Sequence, residues 1–195
     1  MSADLSRIIV VDVEATCWST REEQGTRPNE IIEIGAAQLN LKSGEITDRI
    51  SIAVKPEFTE ISAFCAELTG WTQETIDAEG LPIYQALDEF QAHFNTDRFT
   101  MWASYGDYDR QMLMTNTRKG IKLYDMLKNG KRDNPFDHMH SHLNVKTLFG
   151  LKHKLKRECG MEKALQLLNL PLEGKHHNGG DDAYNIAKIL RQLLS

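Results

Sequence analysis

Apolar and polar positions follow two different periods along this chain. Residues 7–14, RIIVVDVE, form a run of β-branched apolar residues that ends on two carboxylates one residue apart, the pattern of a buried strand. Residues 30–41 and 45–54 are similarly β-rich and are joined by Lys42-Ser43-Gly44, so the three runs predict an antiparallel meander. The intervening residues 18–29 are polar and charged, hold Gly25 and Pro28, and predict an exposed loop, a flap beside the acids. Beyond Pro56 the period lengthens. Residues 61–95 predict helices, with Thr72-x-x-Thr75 and with Ala86, Leu87, Phe90 and Phe94 on one face. Residues 99–104 predict a fourth strand, followed at Gly106 by a helix that carries Asp109, Met112 and Leu113. Residues 142–145 predict a short fifth strand leading into a basic helix over 146–156. In the closing segment, Ala183, Ile186, Ile189, Leu190 and Leu193 share a helical face, preceded by Gly179-Gly180-Asp181 as breaker and N-cap. Residues 116–134 are basic and show no period.

No internal repeat, low-complexity tract or linker divides the 195 residues, so the whole of 1–195 reads as one α/β domain: a mixed five-stranded sheet flanked by helices. A hydrophobic content of 41% and a charged content of 26% are those of an ordinary globular protein. The formal net charge of −5 excludes a bulk polyanion binder and confines any nucleic-acid contact to a local surface. Cys17, Cys65 and Cys159 are odd in number and form no CxxC pair, which argues against a disulfide framework or zinc knuckle and for a reducing, cytoplasmic setting. The N-terminal residues lack a signal-peptide pattern, and no apolar stretch is long enough to span a membrane.

Three acid-bearing places fall at strand ends or helix starts: Asp12 with Glu14, Asp109 in GDYD, and Asp182 in HHNGGDD. Asp12 and Glu14 share a strand face with Cα atoms roughly 6.5 to 7 Å apart, a spacing suited to ligands converging on metal ions. The same residues also fit a strand that surfaces at its end with two solvated acids, and Asp109, Asp181 or Asp182 fit helix caps. Glu33, inside the second strand, reads as an exposed strand residue rather than as a further site acid. His138, His140 and His142 alternate like a ligand set but lack a second cluster and read as polar loop. Gly179-Gly180 reads as a turn, and Lys146, Lys152, Lys154, Lys156 and Arg157 read either as a solvated helix face or as a track for a phosphate backbone.

Taken in order, VDVEATCW, YGDYDRQML and HHNGGDDAYNIA resemble the three motifs of the DEDDh exonucleases of the RNase H-like superfamily. The phrases FCAELTGWTQETID from Phe64 and HLNVKT from His142 are most similar to the Eri-type (enhanced RNA interference) branch. The likeness runs from Ile8 to Leu194 and lapses over residues 118–141.

This resemblance implies an RNase H-like fold and a metal-dependent 3′-to-5′ exonuclease that releases nucleoside 5′-monophosphates from single-stranded 3′ ends, of RNA before DNA. Asp12, Glu14, Asp109 and Asp182 would bind two Mg²⁺ ions, with Mn²⁺ a substitute, and His177 would be the general base with His176 a spectator. Phe64, Leu68, Thr69 and Tyr108 would hold the terminal nucleotides. The rival expectations are a DNA-directed exonuclease and a catalytically silent nucleic-acid-binding domain of the same fold. The presence of all four acids and the histidine speaks against silence.

Overall fold

The computed structural model describes residues 4–116, 134–139 and 141–195. Its centre is β1 (Asp4–Ala15), paired antiparallel with β2 (Ile31–Asn40) and parallel with β4 (Thr100–Ser104). Outside these lie β3 (Ile46–Ala53), antiparallel to β2, and β5 (His142–Asn144), parallel to β4, giving the order β3-β2-β1-β4-β5. The predicted meander is therefore present, and the two later strands lie where their apolar runs place them. In chain order the helices are α1 (Arg21–Gln24), α2 (Ala63–Thr69), α3 (Gln73–Glu79), α4 (Ile83–Phe94), α5 (from 108, described to 116), α6 (Pro135–His138), α7 (Val145–Lys152), α8 (Met161–Leu167) and α9 (Gly179–Leu194).

Alternation along β1 sends Ile9, Val11 and Val13 to one face and Ile8 and Val10 to the other. The first group packs with Ala86, Leu87, Phe90 and Phe94 of α4, and the second with residues of α7, α8 and α9. Covering on both faces explains why Ile8 to Val11 of β1 are continuously apolar rather than alternating. Asp12 and Glu14 continue the second face, toward α9.

The structure corrects the sequence reading in four places. The 18–29 loop contains α1, capped by the Thr20 side chain and closed by Gly25 at φ 59°. Helix α7 ends at Lys152, short of 156. The chain turns at Lys154 with φ 52°, and the Lys152 ammonium reaches the Leu193 carbonyl at the end of α9. The histidine series does not form one polar loop. His142 lies in β5, its ring 4.4 Å from that of Trp102, Met139 is buried, and His140 is outside the described residues.

The fourth correction concerns Gly179-Gly180, which are not a turn. Helix α9 begins at Gly179, and its N-cap is Asn178, whose side chain accepts the Asp181 N–H at 3.1 Å. The glycines serve close approach. A Cβ on Gly35 of β2 would lie 1.8 Å from the Gly179 carbonyl carbon, and one on Gly180 would lie 2.5 Å from Ser51 Oγ. Helix backbone thus rests directly on sheet backbone, and neither side can yield.

Gly35→Ala should consequently lower unfolding stability by about 3 kcal/mol or more, the upper range for overpacking a rigid site. Urea unfolding of the variant measures this; a loss under about 1 kcal/mol would mean that the contact can relax.

Candidate active site

The carboxylates that the sequence separates by up to 170 positions meet at the end of β1 where α9 begins. Oxygens of Asp12, Glu14 and Asp182 all lie within 4.8 Å of one another. The two β1 acids are on this face because strand side chains alternate, and Asp182 reaches them because Gly35 and Gly179 let the first turn of α9 touch the sheet. Asp109 enters from the first turn of α5. It is buried, and its Oδ1 accepts the Val13 N–H of β1 at 3.2 Å, which ties the second motif to the first.

His177 stands beside this group with Nδ1 4.0 Å from Glu14 Oε1 and its side chain 41% exposed. Its backbone is left-handed, φ 65°, which turns its N–H back to donate to Asp182 Oδ2 at 3.0 Å. His176, expected to be a spectator, has a partner instead: Nδ1 is 2.7 Å from the same Asp182 Oδ2. The two imidazoles stack with centroids 4.0 Å apart. The hydrogen bond to Asp182 raises the His176 pKa, whereas burial and then the adjacent His176 lower that of His177. Both effects on His177 favour its neutral form.

Glu33 differs most from expectation. It is fully buried, not exposed, lies opposite Glu14 in the β1–β2 pairing, and accepts Trp71 Nε1–H at 2.7 Å and Gly180 N–H at 3.3 Å. Gly35, two residues on, was a visible signal, but the sequence did not reveal that α9 covers this part of β2.

The remaining predicted site residues lie on α2 and at the start of α5. Helix α2 is held against the end of β1 by the Cys65 thiol, which donates to the Ala15 carbonyl at 3.6 Å. From α2, Phe64 shows 39% of its surface and from α5 Tyr108 shows 54%. Leu68 is partly buried. Thr69 is buried, its hydroxyl donating to Cys65 O at 2.9 Å and accepting the Trp71 N–H at 3.1 Å.

The electrostatics of the acids are those of like charges forced together. Burial first, then Asp109, Glu14, Asp182 and Glu33, raise Asp12 well above the usual carboxylate range. Glu14 is pushed up to about 8 by burial and by Glu33, Asp182 and Asp109. Asp109 is pushed up to about 6, mainly by burial and against the opposing hydrogen bond from Val13. Asp182 Oδ1 is buried with no hydrogen-bond partner among the described residues. A buried carboxylate oxygen without a donor, set among other carboxylates, is suited to a hard cation with oxygen ligands.

A mixed sheet of this order with an acid cluster at the end of its central strand defines a nuclease of the RNase H-like class. The chain belongs to the Exonuclease family (RNase_T), whose profile matches residues 9–190, and within it to the DEDDh-type 3′-to-5′ exonucleases. It is 29% identical over 210 residues to the 3′-5′ exonuclease Snipper of Drosophila melanogaster, an alignment covering 97% of this chain and 69% of that one. It is 30% identical to the 3′-5′ exoribonuclease 1 of Homo sapiens over 96% of this chain, but spans only 52% of that relative. The crystal structure of the nuclease domain of 3′hExo, a DEDDh family member bound to rAMP, superposes with a TM-score of 0.78 at 25% identity, covering 100% of this chain and 94% of that one.

The raised acids fix the sign of a pH dependence. The folded state holds their protons more tightly than the unfolded chain, so in EDTA stability should fall as pH rises from about 4, the ordinary carboxylate value, through about 8. Asp12→Asn should flatten this decline, and a series of melting temperatures across that range would show it. An unchanged slope in the variant would contradict the repulsion.

Proposed function

We propose that the chain, acting as one exonuclease domain, hydrolyses single-stranded RNA from its 3′ end and releases nucleoside 5′-monophosphates. The observation that carries this reading is the convergence of Asp12, Glu14 and Asp182, with Asp182 Oδ1 buried and unpartnered among the described residues, beside His177. Asp12, Glu14, Asp109 and Asp182 would hold two divalent ions. Their all-oxygen character favours Mg²⁺, with Mn²⁺ as a substitute. When bound, such ions activate a water and neutralise charge on the phosphate and the departing 3′-oxygen. RNA is favoured over DNA by the exoribonuclease relatives. The three free cysteines fit a reducing cytoplasm, and among the described residues no helix is long and apolar enough to cross a membrane.

The chain's own residues supply the rest. His177, whose Nδ1 is 4.0 Å from Glu14 Oε1, would accept the proton of the attacking water. His176 and the His177 backbone N–H together fix Asp182 Oδ2, leaving Oδ1 for the cation. Phe64 and Tyr108 offer exposed ring faces for stacking terminal bases, a contact worth roughly 1 to 3 kcal/mol per base and tolerant of sequence. Leu68 and Thr69 of the same helix as Phe64 would complete the terminal-nucleotide site. With a net charge of −5, long phosphate backbones are held weakly and binding concentrates on the 3′ end.

Asp12→Ala should leave less than about a tenth of wild-type activity, with the fold retained. His177→Ala should cost on the order of 10² to 10⁴ in rate at saturating Mg²⁺, the range of a lost general base. His176→Ala, which removes one of the two donors to Asp182 Oδ2, should instead be rescued by raising Mg²⁺. Ladders on 5′-labelled RNA and DNA oligomers provide the measurement, and equal, unrescued losses at both histidines would refute the assignment.

The same ladders test the end preference. A 3′-phosphate, placed beside the carboxylates, should block degradation whereas a 5′-phosphate should not, and Phe64→Ala should lower kcat/KM on every sequence alike. Cleavage of circular single strands at a comparable rate would instead make this an endonuclease.

A further inference from the structure

Glu33 has no part in the roles assigned above, yet it is fully buried beside the acid cluster. Both of its oxygens are engaged, and the two donors come from different sides of the cleft. Oε2 accepts the Trp71 indole N–H at 2.7 Å, and Oε1 accepts the Gly180 N–H at 3.3 Å. Trp71 follows Gly70, the left-handed cap of α2 at φ 90°, so this bond fixes the turn directly after Phe64, Leu68 and Thr69. Gly180 belongs to the first turn of α9, two residues before Asp182. The packing is close, since a Cβ on Gly179 would lie 3.1 Å from the Glu33 carboxyl carbon.

A carboxylate here has a cost, because Glu33 lies directly opposite Glu14 in an antiparallel pair, where like charges are destabilising. A glutamine would relieve the repulsion but has only one acceptor atom, and its amide N–H₂ would face one of the two donors. A glutamate carboxylate can accept from both donors, and it adds a further carboxylate to the surroundings of the four acids. A carboxylate close behind the ligands is favourable to bound divalent cations.

We propose that Glu33 is a positioning residue that joins the 3′-end-binding helix α2 to the acid-bearing start of α9 and strengthens the divalent-cation affinity of the four acids. This inference rests on the nuclease reading and deepens it. Trp71 and Gly180 are held on one carboxylate, so the base-stacking surface and Asp182 keep a fixed spacing. Cation affinity and 3′-end affinity are then linked through a single side chain.

The test is calorimetric titration of substrate-free protein with Mn²⁺, alongside steady-state kinetics on a short RNA at saturating metal. Glu33→Gln should weaken Mn²⁺ affinity about ten-fold or more, the scale at which groups behind the ligands act on bound metals. Trp71→Phe, which keeps the charge and loses only the N–H, should leave Mn²⁺ affinity near the wild-type value and raise KM for RNA with little change in kcat. Glu33→Asp, which keeps the charge on a shorter arm, should behave like Trp71→Phe, and it carries the test if Glu33→Gln does not fold.

Wild-type Mn²⁺ affinity in Glu33→Gln, with only a lowered melting temperature, would make Glu33 a purely structural acid and overturn the inference alone. Unchanged KM in both Trp71→Phe and Glu33→Asp would overturn the link to the 3′ end. Failure of the wild type to bind Mn²⁺ would overturn the nuclease reading and this inference with it.

Discussion

Backbone meets backbone where Gly35 of β2 faces Gly179 of α9, and the rest of the site depends on that contact. A helix normally stands about 10 Å off a sheet, held away by the side chains of both. With glycine on each side, the first turn of α9 comes down onto the sheet and delivers Asp182 to Asp12 and Glu14. It also aims the Gly180 N–H at Glu33 and places the segment before the helix, with its left-handed His177, over the acids. The C-terminal half of α9 packs as an ordinary amphipathic helix, through Ile186, Ile189, Leu190 and Leu193.

What this approach brings together would not stay together as bare charge. The fold meets part of the difficulty with backbone donors: Val13 to Asp109, His177 to Asp182 and Gly180 to Glu33. Each is a fixed dipole that costs no side-chain entropy at the site and cannot be removed by substitution at its own position, proline excepted. The cluster therefore rests on the geometry of β1 and α9 more than on any set of basic side chains.

Much of this was legible in the sequence because a strand period of two is unambiguous. Asp12 and Glu14 had to share a face, and RIIVVDVE had to be buried. Asp109 and Asp182 were found by their place at helix starts and by motif resemblance. Glu33 was misread because alternation assigns a side chain to a face without saying what covers that face, and the cover comes from α9, 147 residues away in the Glu33–Gly180 bond. The same long-range contact turned Gly179-Gly180 from an apparent turn into the start of a helix. Helix α1, by contrast, was locally encoded: Thr20-x-x-Glu23 carries the spacing of a capping box, and the Thr20 hydroxyl does accept the Glu23 N–H at 3.1 Å. His176 gave no signal beyond its adjacency to His177, since its role depends on a backbone twist that histidine does not announce.

The burial of mutually repelling acids also sets a direction for evolutionary drift. Most substitutions in an enzyme core lower stability, so loss of function and loss of fold tend to go together. Here the two are uncoupled. Replacing an acid such as Asp12 removes repulsion from the metal-free fold at the same moment that it removes a ligand, so without metal the inactive descendant is the sturdier molecule. Only continued demand for the reaction keeps these acids in place. Once that demand lapses, the lineage can lose its chemistry without passing through a poorly folded intermediate, and what remains is an intact scaffold with an exposed aromatic surface.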